Sequence, residues 1–445
     1  MLYVDREKQR ARERISKMSS QFGSIAIHWL MFSFLIRSII TKRFYDLNPD
    51  IFRDTPELIE SRGFRSETHR ITTEDGYILI VFRIVNPFRR NTTNDHSQRP
   101  ILLWHGIGVS SDSWLYSTDG HLDSNTGHYI ENSLLVNDCR TNATNTLGFT
   151  LASCGYDVWL PNTRGGKYSI EHRDFDPNTD QRYWMYSLTE LAIYDLPAVI
   201  AYVLRTTRKT SLGYIGHSLG TDQMFALQAL IPESGELIKP FIALAPIAFL
   251  GNIWSAARIA ISLEPLLRSN PTRLGLPTSL MQLIGIIICG NEFLIDICSD
   301  ALYAINGFDA KYFNQSIISI DIAHSAVPSS TWLFAHLAQM VQSNRYGMMD
   351  FGIEENLNRY GQRQPPDYPI GEIRSKNIAL FYSENDALAD RLDVQRLIES
   401  LNITLLDNYL VPFPKWNHQD FQLGMTQGLY INQRLLRLLR LFDRL

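Results

Sequence analysis

The pentapeptide at 216–220, Gly-His-Ser-Leu-Gly, constrains the fold of this chain more than any other feature. It matches the pattern G-x-S-x-G. A short apolar run at 211–215 precedes it, and ten residues without proline or glycine follow at 221–230. This order predicts a strand, a sharp turn around Ser218 and a helix, which is the setting of a nucleophile elbow. Glycine suits both flanks because such a turn leaves almost no room for side chains. The pattern also arises by chance, so its meaning depends on the rest of the chain.

Short apolar runs alternate with helical patterns along most of the sequence. An Asp-Gly pair at 75–76 predicts a hairpin turn, because this dipeptide readily adopts the required positive φ. The alternation predicts an α/β fold with a mostly parallel central sheet and helices on both faces. Strands are expected at 100–104, 156–160, 211–215, 241–245, 377–382 and 409–411, and helices at 147–152, 188–204 and 221–230.

Residues 250–369 interrupt this alternation. They contain helix-like apolar segments at 277–288 and 331–341, which predict an inserted helical lid between the core segments 45–249 and 370–445. The alternative is a separate domain that stands away from the sheet. The side chains expected to supply apolar walls, apart from those that pack the lid's own core, are Leu280, Met281, Leu283, Ile284, Ile286, Ile287, Ile288, Trp332, Leu333, Phe334, Leu337 and Met340.

The N-terminus has the character of a targeting segment. Residues 1–21 are rich in lysine and arginine, and the mostly apolar stretch 22–40 follows. This order predicts entry into the secretory pathway, through a signal peptide or a signal-anchor that holds the chain in a membrane. The location is then extracellular or lysosomal, with or without an anchor. Four N-x-[ST] glycosylation sequons agree with this compartment: Asn91, Asn142, Asn314 and Asn402.

Charge and cysteine content exclude other classes of function. The net charge of −4 gives no electrostatic basis for binding nucleic acid. None of the four cysteines forms a C-x-x-C pair, so neither a zinc site nor a thioredoxin-type site is expected.

A serine nucleophile requires a histidine base and an acid that orients the base. In the elbow context the chain order is serine, acid, histidine. Asp386 directly follows the strand predicted at 377–382, and of the eleven histidines only His418 lies beyond it. Asp390 is the rival acid, but it precedes the helical stretch 391–400 and is expected to cap that helix.

The developing oxyanion needs hydrogen-bond donors. The backbone N–H of Leu219, directly after the serine, is one candidate. The N–H of Ile107 is the other, since it follows the strand at 100–104 between two glycines. His105 and His217 are expected to be structural, and the chemistry requires neither a metal nor an organic cofactor.

Several segments together resemble the acid lipases, a family that includes gastric lipase, lysosomal acid lipase and steryl ester hydrolases. The likeness extends over about residues 45–435, and its landmarks lie at 73–77, 105–106, 155–165, 194–198, 216–221, 243–246, 388–390 and 418–421. The resemblance implies an α/β-hydrolase fold with a helical lid that acts on water-insoluble esters. Ser218, Asp386 and His418 match the family triad, and Ile107 and Leu219 match its oxyanion-hole positions.

Two features depart from the family pattern. Leu219 stands where glutamine is usual, which leaves the required backbone N–H in place. The long basic N-terminal extension is also unusual, and it weakens the inference of a freely secreted enzyme.

The expected function is that of a serine ester hydrolase, a lipase that cleaves triacylglycerol or steryl ester at a lipid–water interface. The alternatives are an acyltransferase, a peptidase or another carboxylesterase on the same scaffold, and a lipid-binding relative without activity.

The cysteines carry two further expectations. Cys289 and Cys298 are expected to form a disulfide inside the lid, with a spacing that resembles the lid disulfide of gastric lipase; the alternative is two buried free thiols. Cys154 is expected to be a buried thiol, and no partner is predicted for Cys139.

Overall fold

A computed structural model describes residues 47–88, 99–132, 135–309 and 314–443. The chain divides into two compact units, Met1–Pro49 and Asp50–Leu445, and the sheet and its flanking helices belong to the second. The segments 1–21 and 22–40, with their predicted signal or anchor, and the sequon at Asn91 lie outside the described residues. Within the described part of the chain, no helix has both the length and the apolar character needed to cross a bilayer.

A central sheet organises this unit. Its main strands lie in the spatial order β1-β2-β4-β3-β5-β6-β7-β8. The first two strands pair antiparallel, as does β2 with β4, whereas every pair from β4 to β8 is parallel. The strands are β1 Arg65–Thr72, β2 Tyr77–Val85, β3 Pro100–Trp104, β4 Asp157–Pro161, β5 Leu212–His217, β6 Ile238–Leu244, β7 Ile378–Tyr382 and β8 Asp407–Leu410.

Helices cover the sheet, and the predicted α/β fold is confirmed. Outside residues 250–369, four described short strands lie away from the main order: Gly120–Leu122, Tyr129–Glu131 and Leu135–Val136 form a small sheet, and Glu171–His172 pairs with β2. The α-helices outside residues 250–369 are Thr55–Ser61, Leu147–Ser153, Leu188–Glu190, Leu196–Thr207, Leu219–Leu230, Arg391–Ser400, Asp420–Leu423 and Gln433–Arg440.

The helix predicted at 188–204 contains an irregular turn. Its middle, Leu191–Asp195, is a π-helix between the α-helices Leu188–Glu190 and Leu196–Thr207. Pro197 stands in the first turn of the second helix, and proline lacks the N–H that a regular helix would use there. The apolar period predicted the helix, but it did not reveal the change of winding.

Residues 250–369, called the cap below, connect β6 to β7. In the described part of the cap, Arg273–Leu274 and Ser329–Ser330 form a short antiparallel pair of strands, and most of the remaining regular structure is helical. The α-helices are Glu264–Ser269, Thr278–Ile284, Ile295–Asn306, Ile318–His324, Thr331–Ser343 and Ile353–Tyr360.

Both pairs of cysteines are bonded. Cys289 is joined to Cys298 within the cap, with Cα atoms 5.6 Å apart. Cys154 is joined to Cys139, so the prediction of a buried thiol at Cys154 was wrong. The side chain of Asn137 donates hydrogen bonds to Thr150 O and Ser153 Oγ, which folds this loop over the end of the helix Leu147–Ser153 and brings Cys139 beside Cys154.

Candidate active site

The carboxyl ends of the parallel strands meet at one edge of the sheet. Trp104 of β3 pairs with Gly216 of β5, His217 pairs with Leu244 of β6, and Leu244 pairs with Phe381 of β7. The residues that directly follow these strands therefore emerge side by side. Loops at this edge of an α/β sheet commonly carry the ligand site.

Ser218 begins the helix Leu219–Leu230 in a strained conformation. Its φ of 54° and ψ of −122° are unusual for a residue with a side chain, and such strain typically costs about 1–3 kcal/mol. A backbone hydrogen bond of 3.1 Å from Ser218 N to Leu244 O stabilises the turn. A Cβ atom on Gly216 would lie 2.6 Å from the carbonyl oxygen of Gly220, so glycine is required there. The turn has the geometry that the elbow motif predicts.

His418 lies after β8 and faces Asp386, which lies after β7. The distance from His418 Nδ1 is 2.9 Å to each of the two carboxylate oxygens of Asp386. Both side chains are buried. A carboxylate on Nδ1 fixes the ring orientation and leaves Nε2 as the proton acceptor.

Asp390, the alternative acid, lies at the helix-capping position that the sequence predicts for it. Asp390 accepts a hydrogen bond of 2.8 Å from Leu392 N and caps the helix Arg391–Ser400. Asp386 accepts hydrogen bonds from the N–H groups of Leu388 and Ala389 at 2.9 and 2.7 Å. These bonds hold its carboxylate toward His418.

The cap braces the two loops that carry Asp386 and His418. The carbonyl oxygen of Asn306, at the end of a cap helix, accepts hydrogen bonds from Ala387 N at 3.2 Å and His418 N at 3.1 Å. The Asn306 side chain also donates to Gln419 at 3.1 Å. Sequence reasoning missed this bracket, because nothing in the pattern of residues 295–306 indicates which distant loop the helix end meets.

The histidines beside the motifs have structural contacts. His217 Nε2 donates to the carbonyl oxygen of His418 at 2.9 Å, and burial together with the neighbouring His418 holds the pKa of His217 well below its ordinary value. His105 Nδ1 donates to Gly106 O at 2.7 Å, and its Nε2 accepts from Thr163 N. Burial lowers the pKa of His105 to about 4. Both rings are therefore neutral near pH 7.

Two backbone donors at this edge are free. Leu219 is the first residue of its helix, where an N–H has no partner within the helix. Among the described residues, neither Leu219 N nor Ile107 N donates a hydrogen bond, and Ser218 Oγ forms none with His418. Catalytic hydrogen bonds are often long without a substrate and tighten when one binds.

A cavity of about 130 Å³ opens on Ser218, Ile107 and Leu219. Ile247 and Leu250 line it from the loop after β6. The remaining wall includes cap side chains, and their aliphatic and aromatic character makes it apolar: Ile253, Ala257, Ile261, Phe334, Leu337, Ala338 and Val341.

The cap helices contribute unequally to this wall. Phe334 and Leu337 line the cavity as expected, whereas Trp332, Leu333 and Met340 are buried elsewhere. None of the described residues 277–288 lines it, so that part of the prediction was wrong. The helix Thr278–Ile284 packs instead against Ile318–His324 and directs Leu280 and Leu283 toward solvent.

Comparisons with known proteins identify the fold and the family. Residues 55–118 match the partial α/β-hydrolase lipase region, and residues 99–248 match the α/β-hydrolase fold. A solved structure of a lipase-like protein from Sulfolobus solfataricus superposes with a TM-score of 0.52 at 13% identity, covering 85% of this chain and 95% of that one, and shows a common fold.

Curated relatives cover most of the chain. Gastric triacylglycerol lipase of Bos taurus is 35% identical over 84% of this chain and 88% of its own length. Lipase member N of Homo sapiens is 30% identical over 89% and 94%, and lipase lipl-5 of Caenorhabditis elegans is 32% identical over 85% and 90%. The chain therefore belongs to the lipase family of α/β-hydrolases that the sequence resemblance indicated, and it is a carboxylic ester hydrolase.

Proposed function

We propose that this protein is a serine lipase that hydrolyses neutral lipid esters through Ser218, His418 and Asp386. The observation that carries the proposal is the hydrogen bond between His418 Nδ1 and Asp386, at the sheet edge where the strained Ser218 also lies. An apolar cavity adjoins the same serine. A relative named for triacylglycerol supports this substrate class over soluble esters.

The reaction has two halves. Ser218 Oγ attacks the ester carbonyl while His418 Nε2 takes its proton and then returns it to the leaving alcohol. Water next attacks the acyl-enzyme with His418 as base, which releases the fatty acid and restores the serine. Asp386 orients the ring throughout and stabilises its charged form.

The N–H groups of Ile107 and Leu219 are proposed to bind the oxyanion of both tetrahedral intermediates. Loss of one such donor typically costs about 10²–10³ in kcat. The leucine at 219 leaves this role intact because only its backbone takes part, and its buried side chain adds to the cavity wall.

The apolar wall favours long acyl chains. Each CH₂ group moved from water into an apolar site contributes about 0.8 kcal/mol. The cavity of about 130 Å³ is smaller than the roughly 300–1,000 Å³ typical of pockets for drug-sized ligands, so a whole chain requires the cap segments to move apart.

Several large apolar side chains of the cap are exposed to solvent. Phe293 is 90% exposed, Ile259 75% and Leu266 68%. We propose that these side chains meet the lipid phase and that the protein acts in the secretory pathway.

Two disulfides support that compartment, since disulfides persist in oxidising environments. The sequons at Asn142 and Asn402 are exposed, and Asn314 is half-buried and donates to Ser117 O. We propose Asn142 and Asn402 as the more accessible acceptors. Anchoring through residues 22–40 remains a proposal that the described residues do not test.

Labelling of Ser218 tests the proposal. A fluorophosphonate probe should label the protein but not the Ser218→Ala variant, and that variant should lose about 10⁴–10⁶ in kcat on a long-chain triacylglycerol emulsion. A variant that kept a tenth of the activity would overturn the assignment. Labelling without turnover of any ester would indicate a lipid carrier. Faster hydrolysis of acetate esters than of long-chain esters would contradict the proposed lipid substrate class.

A further inference from the structure

Asp222 lies one helical turn beyond Ser218. Its backbone N–H donates to Ser218 O at 3.3 Å in the helix Leu219–Leu230. Residues four apart share a helix face and are separated by about 6 Å along the axis. Asp222 consequently lines the same cavity as the serine.

This carboxyl is unusual within the cavity. Among the described residues that line it, only Ser218 and Asp222 have polar side chains. Asp222 is completely buried, and within the described part of the chain neither of its carboxyl oxygens has a geometrically sound hydrogen-bond partner. Tyr346 lies beside it, and its hydroxyl donates at 2.8 Å to the backbone carbonyl of Asp222.

An unpaired buried carboxyl is unfavourable in either protonation state. Desolvation raises the pKa of Asp222 well above its ordinary value, which favours the neutral acid. A neutral carboxyl has one O–H donor together with acceptor capacity. A hydroxyl group has the same combination, so one hydroxyl can satisfy both functions.

We propose that Asp222 is a specificity-determining residue whose carboxyl binds a hydroxyl group carried by the substrate near the scissile ester. The inference rests on the proposed role of Ser218. The ideal helical rise of about 6 Å between the Cα atoms of the two residues equals roughly five bonds of an extended chain, which sets the range of hydroxyl positions to test. The hydroxyl lies either on the glycerol part of a partial glyceride or on the acyl chain itself.

Matched esters distinguish these two sources. For the glycerol source, the monoacylglycerol and the methyl ester of one fatty acid are compared. For the acyl source, methyl esters with a hydroxyl at one of carbons 4 to 7 are compared with the unsubstituted ester. The wild-type protein should prefer the hydroxylated member of at least one pair by about tenfold or more in kcat/KM, because a site built for a hydroxyl discriminates against analogues without one.

Two substitutions sharpen the test. Asp222→Leu should remove the preference, and Asp222→Asn should retain part of it because an amide still donates and accepts. Gln223→Leu is the matched control: Gln223 is the next residue, is equally buried and has an unpaired oxygen, but it does not line the cavity. This control should keep the wild-type ratio.

The outcomes separate the two proposals. Equal rates within every wild-type pair would overturn the role of Asp222 without any variant having to fold. An unchanged ratio in a folded Asp222→Leu variant would do the same. Fluorophosphonate labelling of Ser218, measured in each protein, reports the nucleophile independently, so its absence from the wild type would instead overturn the proposed function.

Discussion

The sheet core and the cap differ in how far their apolar side chains are buried. Every residue of β3, β4, β5 and β7 is buried. The cap directs some apolar side chains into the cavity and exposes others, including Phe293 and Ile259. The core therefore positions the proposed reacting groups, whereas the cap presents apolar side chains both to the cavity and to solvent.

The hydrogen bonds of Asn306 are an exception to this contrast between the core and the cap. The end of a cap helix binds the backbone beside both Asp386 and His418. The cap thus helps to position the proposed acid and base as well as to cover the nucleophile.

The largest effect is expected in the core. Asp386→Asn should reduce kcat by about 10⁴, because the amide no longer holds the His418 tautomer and charge. Asp390→Asn should change kcat less than tenfold, since asparagine also caps helices well. Steady-state kinetics on one ester, with melting temperatures as the folding control, measure both. Equal losses in the two variants would show that the assignment of Asp386 as the acid is wrong.

The core could be predicted because its segments carry local signals. The strand containing residues 212–217 and the helix that begins at Leu219 follow from an apolar run, two glycines and a stretch of helix formers. Since parallel strands end at one edge, the place of Asp386 directly after a strand, together with the chain order, predicted that it would meet His418. Asp390 was separable because a cap position has its own sequence signal.

For the cap, only the helical content could be predicted from the sequence. Residues 278–288 and 331–341 are similarly apolar, but the first group is partly exposed and the second includes cavity-lining positions. Composition does not specify which neighbour a helix face meets. The contacts of Asn306 and the bond of Cys139 to Cys154 depend in the same way on long-range packing.

The next effect concerns Asp222, which belongs to a core helix but faces the cavity. An unfolded aspartate has a pKa of about 3.9, and burial raises the folded value. The neutral form is therefore favoured by folding, and its contribution is complete below about pH 4 and is lost as the pH rises through the folded-state pKa. Tyr346 and Tyr368 face the group, and burial keeps both neutral by raising their pKa.

Asp222→Asn removes this titration. Relative to wild type, the free energy of unfolding of the variant should increase by about 1.4 kcal/mol per pH unit above pH 4, until the folded-state pKa is passed. Urea unfolding at pH 4, 5, 6 and 7 measures the difference, and Gln223→Leu, which has no titratable group, provides the control. A difference that stays constant with pH would show that folding does not raise the pKa of Asp222.

Removal of either disulfide should lower stability, but removal of only one of them should also lower activity. Removal of either bridge, as Cys139→Ser with Cys154→Ser or Cys289→Ser with Cys298→Ser, should cost about 2–4 kcal/mol of stability. Only the cap pair should also lower kcat in the folded state, by several-fold, because Cys298 lies in the helix that ends at Asn306. Thermal unfolding and kcat well below the melting temperature measure these effects. Loss of kcat in the core pair alone would contradict the bracing role of the cap.

The smallest effect is expected at the cavity wall. Leu337→Ser replaces an apolar cap side chain that lines the cavity with a polar one. It should lower kcat/KM for long-chain esters by about tenfold and leave acetate esters nearly unchanged, because short acyl groups make few contacts with the wall. Leu357→Ser is the control, since Leu357 belongs to the cap, is 48% exposed and does not line the cavity.

The dependence of activity on the acyl chain length of the substrate tests the role of Leu337. Activity on esters of two to eighteen carbons should show a loss for Leu337→Ser that grows with acyl length and then levels off once the chain extends past residue 337. A loss of equal size at every length would place the effect on the reacting groups and not on the wall. The same loss in Leu357→Ser would indicate a general weakening of the cap, and the contrast between a positioning core and a substrate-contacting cap would then fail.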